Sequence, residues 1–250
     1  VEMSWRTGFA LINHYTANSQ WQQAVETGMK YIKKYPSNYY IGLKYAKALC
    51  ETGQYQPCIS LLNKMQVLPN EGSYAGRAVY RAANLYQAME QLSRKNYRQV
   101  MRNVKASKEW PENLGVGKPY DDMIDSRLED YLEAKALTGQ GDNQKAATLL
   151  SSVAGYKTSR SRFGSGNLLT ALALRELGKE VEADRMVASW ETDFPENRIT
   201  QWCAAVYRGE MEKASGMLKS RNEQADTTPW ETSFRDSNFD LIVRLFSTAD

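Results

Sequence analysis

The sequence predicts an all-α protein, a right-handed α-solenoid of five to six helical hairpins closed by a C-terminal capping helix. Three observations predict it. Landmarks of two consecutive hairpins recur at 34 residues, from Ser19 to Gly53, Trp21 to Tyr55 and Ala24 to Cys58. An aromatic-Pro-x-Asn tetrad occurs three times, at 35–38, 110–113 and 194–197, each time after an apolar-periodic helical segment. No strand-period alternation of any length competes with the helical one. A single hairpin cannot bury its apolar faces alone, so neighbouring hairpins must stack on one another.

The clearest unit is 42–65, two amphipathic segments joined by the turn Thr52-Gly53-Gln54. Small residues at Ala46 and Cys58 allow the two backbones to approach, Leu49, Ile59 and Leu62 fill the seam, and Gly53 ends the first helix. The first hairpin spans about 5–36 and the second about 39–69, each stopped by a proline, Pro36 and Pro69. The third, about 73–111, is looser: Tyr97, Val100 and Val104 hold the aromatic, small and apolar sites of its second helix, with valine in the small site. The fourth, about 122–153, pairs Ala134 with Ala146 around a turn at Gly141-Asp142. The fifth, about 167–195, carries Ala171, Leu174, Gly178, Ala183 and Trp190 in register. A short sixth at about 199–220 contains Gly209 and Ala214, and an apolar helix at about 237–247 seals the array as a cap. All 250 residues read as one superhelical domain.

A 34-residue period with a small residue before an aromatic, and another small residue three beyond it, resembles the tetratricopeptide repeat. That resemblance implies a scaffold whose first helices line a concave binding surface. The WPENLGVGKPY segment, the Arg127-x-x-x-Tyr131 helix and the ALALRELGKEVEAD hairpin also look like the repeat-bearing C-terminal region of large bacterial proteins that begin with β-rich, carbohydrate-enzyme-like domains. This implies a scaffold segment detached from a β-rich portion, and a chain opening on Val1 fits a processed chain or an excised piece.

Composition narrows the chemistry. With 42% hydrophobic and 24% charged residues the chain can build a large core and is not a disordered protein. The 32 basic and 29 acidic residues leave +3 and alternate along the chain, which argues against a nucleic-acid partner. No apolar run is long enough to insert in a membrane. His14 is the sole histidine, which removes Ser-His-Asp and Cys-His catalysis and multi-histidine metal sites. Cys50, Cys58 and Cys203 lack metal-ligand spacing and read as buried small residues. Gly115-Val116-Gly117-Lys118 fails as a phosphate loop, because Pro119 follows the lysine and a helix precedes it. Asp121, Asp122 and Asp125 read as helix-start residues, and Lys157, Arg160 and Arg162 as a solvated basic loop. Catalytic residues, cofactors and metal ligands are therefore assigned to none.

The expected function is a non-catalytic repeat scaffold that binds a protein or peptide, or another domain of its parent chain. By register its groove residues are Asn13, Tyr40, Lys47, Tyr131, Lys135 and Arg175, beside Phe9. Asn13 matches the asparagine with which tetratricopeptide proteins hold a peptide carboxylate, whereas Phe9 and Lys44 stand where that clamp takes Lys and Asn; Arg77 and Arg81 offer the cationic half. The alternative is part of a glycan-processing enzyme whose catalytic residues lie mainly in a missing domain, which calls for two carboxylates roughly 5 to 9.5 Å apart. The loop 110–120 is expected to pack on the helices, because exposing Trp110, Leu114, Val116 and Tyr120 costs about 25 cal/mol per Å².

Overall fold

The computed structural model describes residues 4–69, 74–157, 163–222, 236 and 238–247. Among them are thirteen α-helices and two short 3-10 turns, and no strand. In chain order the helices are α1 (Trp5–Ala17), α2 (Trp21–Lys34), α3 (Tyr39–Glu51), α4 (Tyr55–Lys64), α5 (Ala75–Ser93), α6 (Tyr97–Ser107) and α7 (Arg127–Gly139). They continue with α8 (Asn143–Ala154), α9 (Gly166–Glu176), α10 (Glu180–Asp193), α11 (Arg198–Tyr207), α12 (Met211–Asn222) and α13 (Phe239–Ser247). The fold is all-α, built of consecutively packed hairpins as in a repeat solenoid.

All six hairpins turn in one way. The residue two before each second helix has a left-handed backbone: Ser19, Gly53, Lys95, Gly141, Gly178 and Gly209, with φ between 55° and 84°. The next residue then donates its N–H five positions back. Gln20 bonds Tyr15, Gln54 bonds Leu49 and Asn96 bonds Gln91 at 2.8 Å, and Asp142, Lys179 and Glu210 repeat the bond to Leu137, Leu174 and Ala205. This is a Schellman cap, which satisfies carbonyls that the ending helix leaves open. Its recurrence places the second helix of every hairpin in equivalent register to its turn. Four residues after each of those donors comes the small site, Ala24, Cys58, Val100, Ala146, Ala183 and Ala214, and all six are buried.

The chain divides into two compact units, one of residues 1–88 and 102–124, the other of 89–101 and 125–250. In the first, α1 and α2 pack together, α2 and α1 both meet α3, and α3 meets α4. Gly8 and Gly28 are packing positions: a Cβ there would lie within 2.5 Å of the Tyr31 and Tyr45 rings. Ile12, Ile41, Leu62 and Leu114 are fully buried among them. The third hairpin adds Arg77, whose guanidinium donates to the Ser107 carbonyl at 2.6 Å and lies 4.5 Å from the centre of the Trp110 ring. Arg77 is buried, so the expectation of a groove cation there is corrected: its charge is spent inside the hairpin.

The loop after α6 is half packed. Asn113 donates to the Leu62 and Met65 carbonyls at 2.9 and 2.8 Å and accepts from the Val67 N–H at 2.8 Å, tying the loop to the end of α4. Leu114 is fully buried, and Gly115 turns with φ 73° against the backbone of Val67 and Leu68. Tyr120 is 81% exposed, contrary to the expectation that it packs, because the chain turns outward after Gly115. Asp121 and Asp122 open a 3-10 turn rather than α7, and Asp121 pairs with Lys118. Only Asp125 acts at the helix start, accepting from the Arg127 N–H at 3.1 Å. The other two tetrad asparagines do cap helices: Asn38 accepts from the Ile41 N–H and Asn197 from the Thr200 N–H.

In the second unit, α7 to α11 pack in sequence, the first helix α9 also meeting the first helices α7 and α11, and α11 packs on α12. The buried Trp202 meets Phe239 and Phe246 of α13 edge-on at 5.2 and 6.5 Å, which seats the terminal helix on α11.

Candidate functional site

Three side-chain constellations stand apart from the apolar packing, one in the first unit and two in the second. On the first unit, α1 and α3 present a cluster of rings. Tyr40 stacks on Tyr39 at 4.3 Å and on Trp5 at 5.9 Å, and meets Phe9 edge-on at 6.2 Å. Tyr40 keeps 48% of its surface exposed, and Trp5, Phe9 and Tyr39 are half-buried. Cations lie against these and a neighbouring ring: Arg6 4.7 Å from Trp5, Lys44 5.8 Å from Phe9 and Lys47 5.8 Å from Trp21. Such placement is worth about 0.5–1 kcal/mol per pair at exposed sites and holds the charged ends outward. Asn13 is half-buried on α1 two turns beyond Trp5, and its side-chain amide bonds no described residue.

In the second unit the groove residues form a closed ladder. The Tyr131 hydroxyl donates to Glu176 Oε1 at 2.6 Å, and Lys135 Nζ lies 3.2 Å from Oε2 of the same carboxylate. Arg175 donates to the Tyr207 carbonyl at 2.9 Å and lies over the Tyr207 ring, whose hydroxyl donates to Asp184 at 2.8 Å. Burial raises both phenols, with the neighbouring carboxylate adding to it: Tyr131 is pushed well above its ordinary range and Tyr207 to about 12. Tyr131 is only 7% exposed, so the expectation of an open aromatic anchor is corrected there; the ring is core and its hydroxyl is taken by Glu176. The predicted residues thus fall into two sets, Asn13, Tyr40 and Lys47 in one unit and Tyr131, Lys135 and Arg175 in the other.

The third constellation went unseen in the sequence. Arg127, 6% exposed, forks onto Asp125 at 2.9 and 2.7 Å and donates to Asn167 and Thr170 at 3.0 and 3.2 Å. Its guanidinium lies 4.0 Å from the centre of the Tyr156 ring. Asn238 donates to Asp125 at 3.4 Å, and Asp236 accepts from the Ser165 N–H at 2.6 Å and the Asn238 N–H at 3.1 Å. The network ties the starts of α7, α9 and α13 together. Both carboxylates in it, Asp125 and Asp236, are occupied by donors of the chain, so it reads as a clasp rather than as reactive carboxylates.

The remaining chemistry-bearing residues are dispersed. His14 is exposed against Tyr15, and the thiols of Cys50, Cys58 and Cys203 are buried, with burial raising that of Cys203. Lys157 is exposed, while Arg160 and Arg162 lie outside the described residues. Among the described residues no three His, Cys, Asp or Glu side chains gather as metal ligands, and no helix is long and apolar enough to cross a membrane. Compared with protein-family models and with curated proteins, the chain matches none.

Proposed function

We propose that the chain is a non-catalytic helical-repeat scaffold of tetratricopeptide type that holds a protein or peptide segment on the α1–α3 face. One observation carries the reading: the aromatic and cationic side chains of Trp5, Phe9, Tyr40, Lys44 and Lys47 form one half-open surface on two first helices. Exposed aromatic anchors flanked by cations suit binding, since Tyr, Trp and Arg supply most hot-spot energy at interfaces. The six equivalent turns support the repeat type, because they fix which helices are first and which are second in each hairpin. The ladder of α7, α9 and α11 supports placing the site in the first unit, as its polar groups already bind one another.

The test is binding of a fluorescent peptide panel to Tyr40→Ala, Lys47→Ala, Lys135→Ala and Arg175→Ala variants. Tyr40→Ala and Lys47→Ala are expected to weaken a bound peptide by about tenfold, a change of about 1.4 kcal/mol. Lys135→Ala and Arg175→Ala should leave the affinity unchanged. Equal affinity across all four variants overturns the assignment to this face.

A further inference from the structure

Helix α6 turns a row of cations to solvent. Arg98, Arg102 and Lys105 are exposed and spaced by four and three residues, which puts them within about 60° of one helix face and along about 10 Å of its length. Lys95, exposed in the turn before the helix, adds a fourth cation at its start. The opposite face is the packed one: Val100 and Val104 are fully buried, and the buried Asn103 donates to Gln87 of α5 at 2.7 Å. Basic and acidic residues alternate along most of the chain, but residues 91–108 hold six Lys and Arg and no Asp or Glu. Of the two carboxylates flanking that stretch, Glu90 pairs with Arg94 at 2.6 Å, and Glu109 lies close enough to the Tyr80 phenol of α5 to add to the rise that burial gives it. Lys95, Arg98, Arg102 and Lys105 make no ion pair with a described residue.

We infer that the outer face of α6 is a docking surface for an anionic lipid bilayer, held by the phosphodiester headgroups without insertion, a role independent of the peptide reading of the α1–α3 face. A helix packed by its apolar side and lined on the other with long cationic side chains lies flat against a charged sheet and meets several headgroups at once. None of the large hydrophobic side chains exposed among the described residues belongs to α6, so the contact is electrostatic and reversible by salt. Nucleic acid is the weaker fit, because it gains most from rings on which bases stack. Tyr97 is the one aromatic residue of α6, and its ring is packed against α7, where a Cβ on Gly139 would lie within 2.6 Å of three of its atoms.

The test is co-sedimentation of the full chain with vesicles of phosphatidylcholine alone and of phosphatidylcholine with about 30% phosphatidylglycerol. At about 50 mM salt the chain is expected to bind the anionic vesicles at least about tenfold more tightly than the neutral ones, and to be released as salt rises to about 300 mM. A cation near an anionic surface contributes roughly fivefold, so Arg98→Gln or Arg102→Gln alone should weaken binding by about that factor. Arg98→Gln, Arg102→Gln and Lys105→Gln together should bring it down to the level of the neutral vesicles. A control carrying Lys30→Gln, Lys33→Gln and Lys179→Gln removes the same charge from exposed positions elsewhere and should bind as the unmodified chain does. Urea midpoints of all variants control for folding, and a random-sequence DNA duplex at equal phosphate concentration is the competing probe. Absence of binding to the anionic vesicles, equal binding to both kinds of vesicle, equal loss in the two triple variants, or tighter binding of the duplex overturns the assignment.

Discussion

The Cys58 thiol lies 3.1 Å from the Ala46 carbonyl oxygen and donates to it, so a side chain of α4 meets the backbone of α3 directly. That contact exists only because the α4 position holds a small residue. The equivalent position holds Ala24, Val100, Ala146, Ala183 or Ala214 in the other hairpins, each 2% exposed or less. A hairpin with a large side chain there has to spread its helices, and the neighbouring hairpin then loses its seat.

Overfilling this position is therefore costly in every repeat. Cys58→Leu and Ala183→Leu are each expected to destabilise by about 1–3 kcal/mol, the usual range for extra methylenes forced into a packed core. Cys58→Ala, which removes only the sulfur contact, should cost about 1 kcal/mol. The third hairpin has adapted to its larger occupant, so Val100→Ala opens a void and destabilises by about 2 kcal/mol. Urea midpoints of the four variants check the set, and a stable Ala183→Leu would contradict the shared packing.

The turns give a prediction of opposite sign. Four of the six left-handed turn residues are glycine, but Ser19 and Lys95 hold φ 55° and 57° with a side chain. A left-handed backbone costs a non-glycine residue about 1–2 kcal/mol, of which glycine's extra unfolded-state entropy takes back about 0.5–1 kcal/mol. Ser19→Gly and Lys95→Gly should thus each stabilise by about 0.5–1 kcal/mol, and Gly178→Ala should destabilise by about 1 kcal/mol. Thermal unfolding of single and paired variants measures this; additive gains are expected, as the two turns belong to different hairpins.

The hairpins were legible in the sequence because their determinants are local. A left-handed turn residue and a small residue five beyond it act within one helical hairpin, and the structure repeats that pair in six places, with an aromatic between them at Trp21, Tyr55 and Tyr97. The clasp was not legible, since its members are distant: Arg127 meets Asn167 and Thr170 40 and 43 residues away, and Asn238 meets Asp125 across 113. Register named Tyr131 as a first-helix residue correctly but could not reveal that Glu176 closes over its hydroxyl. Lys44 stood out only as a mismatch to a carboxylate clamp; that it lies against Phe9 depends on how α1 and α3 pack.

Alkaline pH should loosen the second unit. The Tyr131 and Tyr207 phenols are held above their ordinary value of 10.0 in the fold, by burial first and then by Glu176 and Asp184. A raised phenol pKa means that the folded state holds the proton more tightly than the unfolded one. Its stabilisation is complete below pH 10.0 and is lost as pH rises toward the folded value, about 12 for Tyr207. The urea midpoint is expected to be flat from pH 8 to 9.5 and to fall between pH 10 and 12. Tyr131→Phe and Tyr207→Phe should each shallow that fall, and an unchanged slope in both would show that other groups set it.

The Arg127–Asp125 pair separates the value of a buried ion pair from the cost of breaking it. Arg127 is nearly buried and its fork is filled by Asp125, Asn167 and Thr170, so Arg127→Met leaves three acceptors without their donor. Removing one member of such a pair typically costs about 3–5 kcal/mol, because the remaining charge stays buried and uncompensated. Asp125→Asn is expected to cost somewhat less, since Asp125 retains more solvent than Arg127 and the amide oxygen still accepts one bond. The double variant Arg127→Met, Asp125→Leu removes both charges, and its loss should be smaller than that of Arg127→Met alone. Gly166→Ala is an independent probe of the same spot, because its methyl group would lie 2.4 Å from the Arg127 guanidinium and push it off Asn167. Denaturant unfolding of these variants forms a double-mutant cycle with one geometric control. If Arg127→Met unfolds at the wild-type midpoint, the clasp contributes nothing to holding the starts of α7, α9 and α13 together.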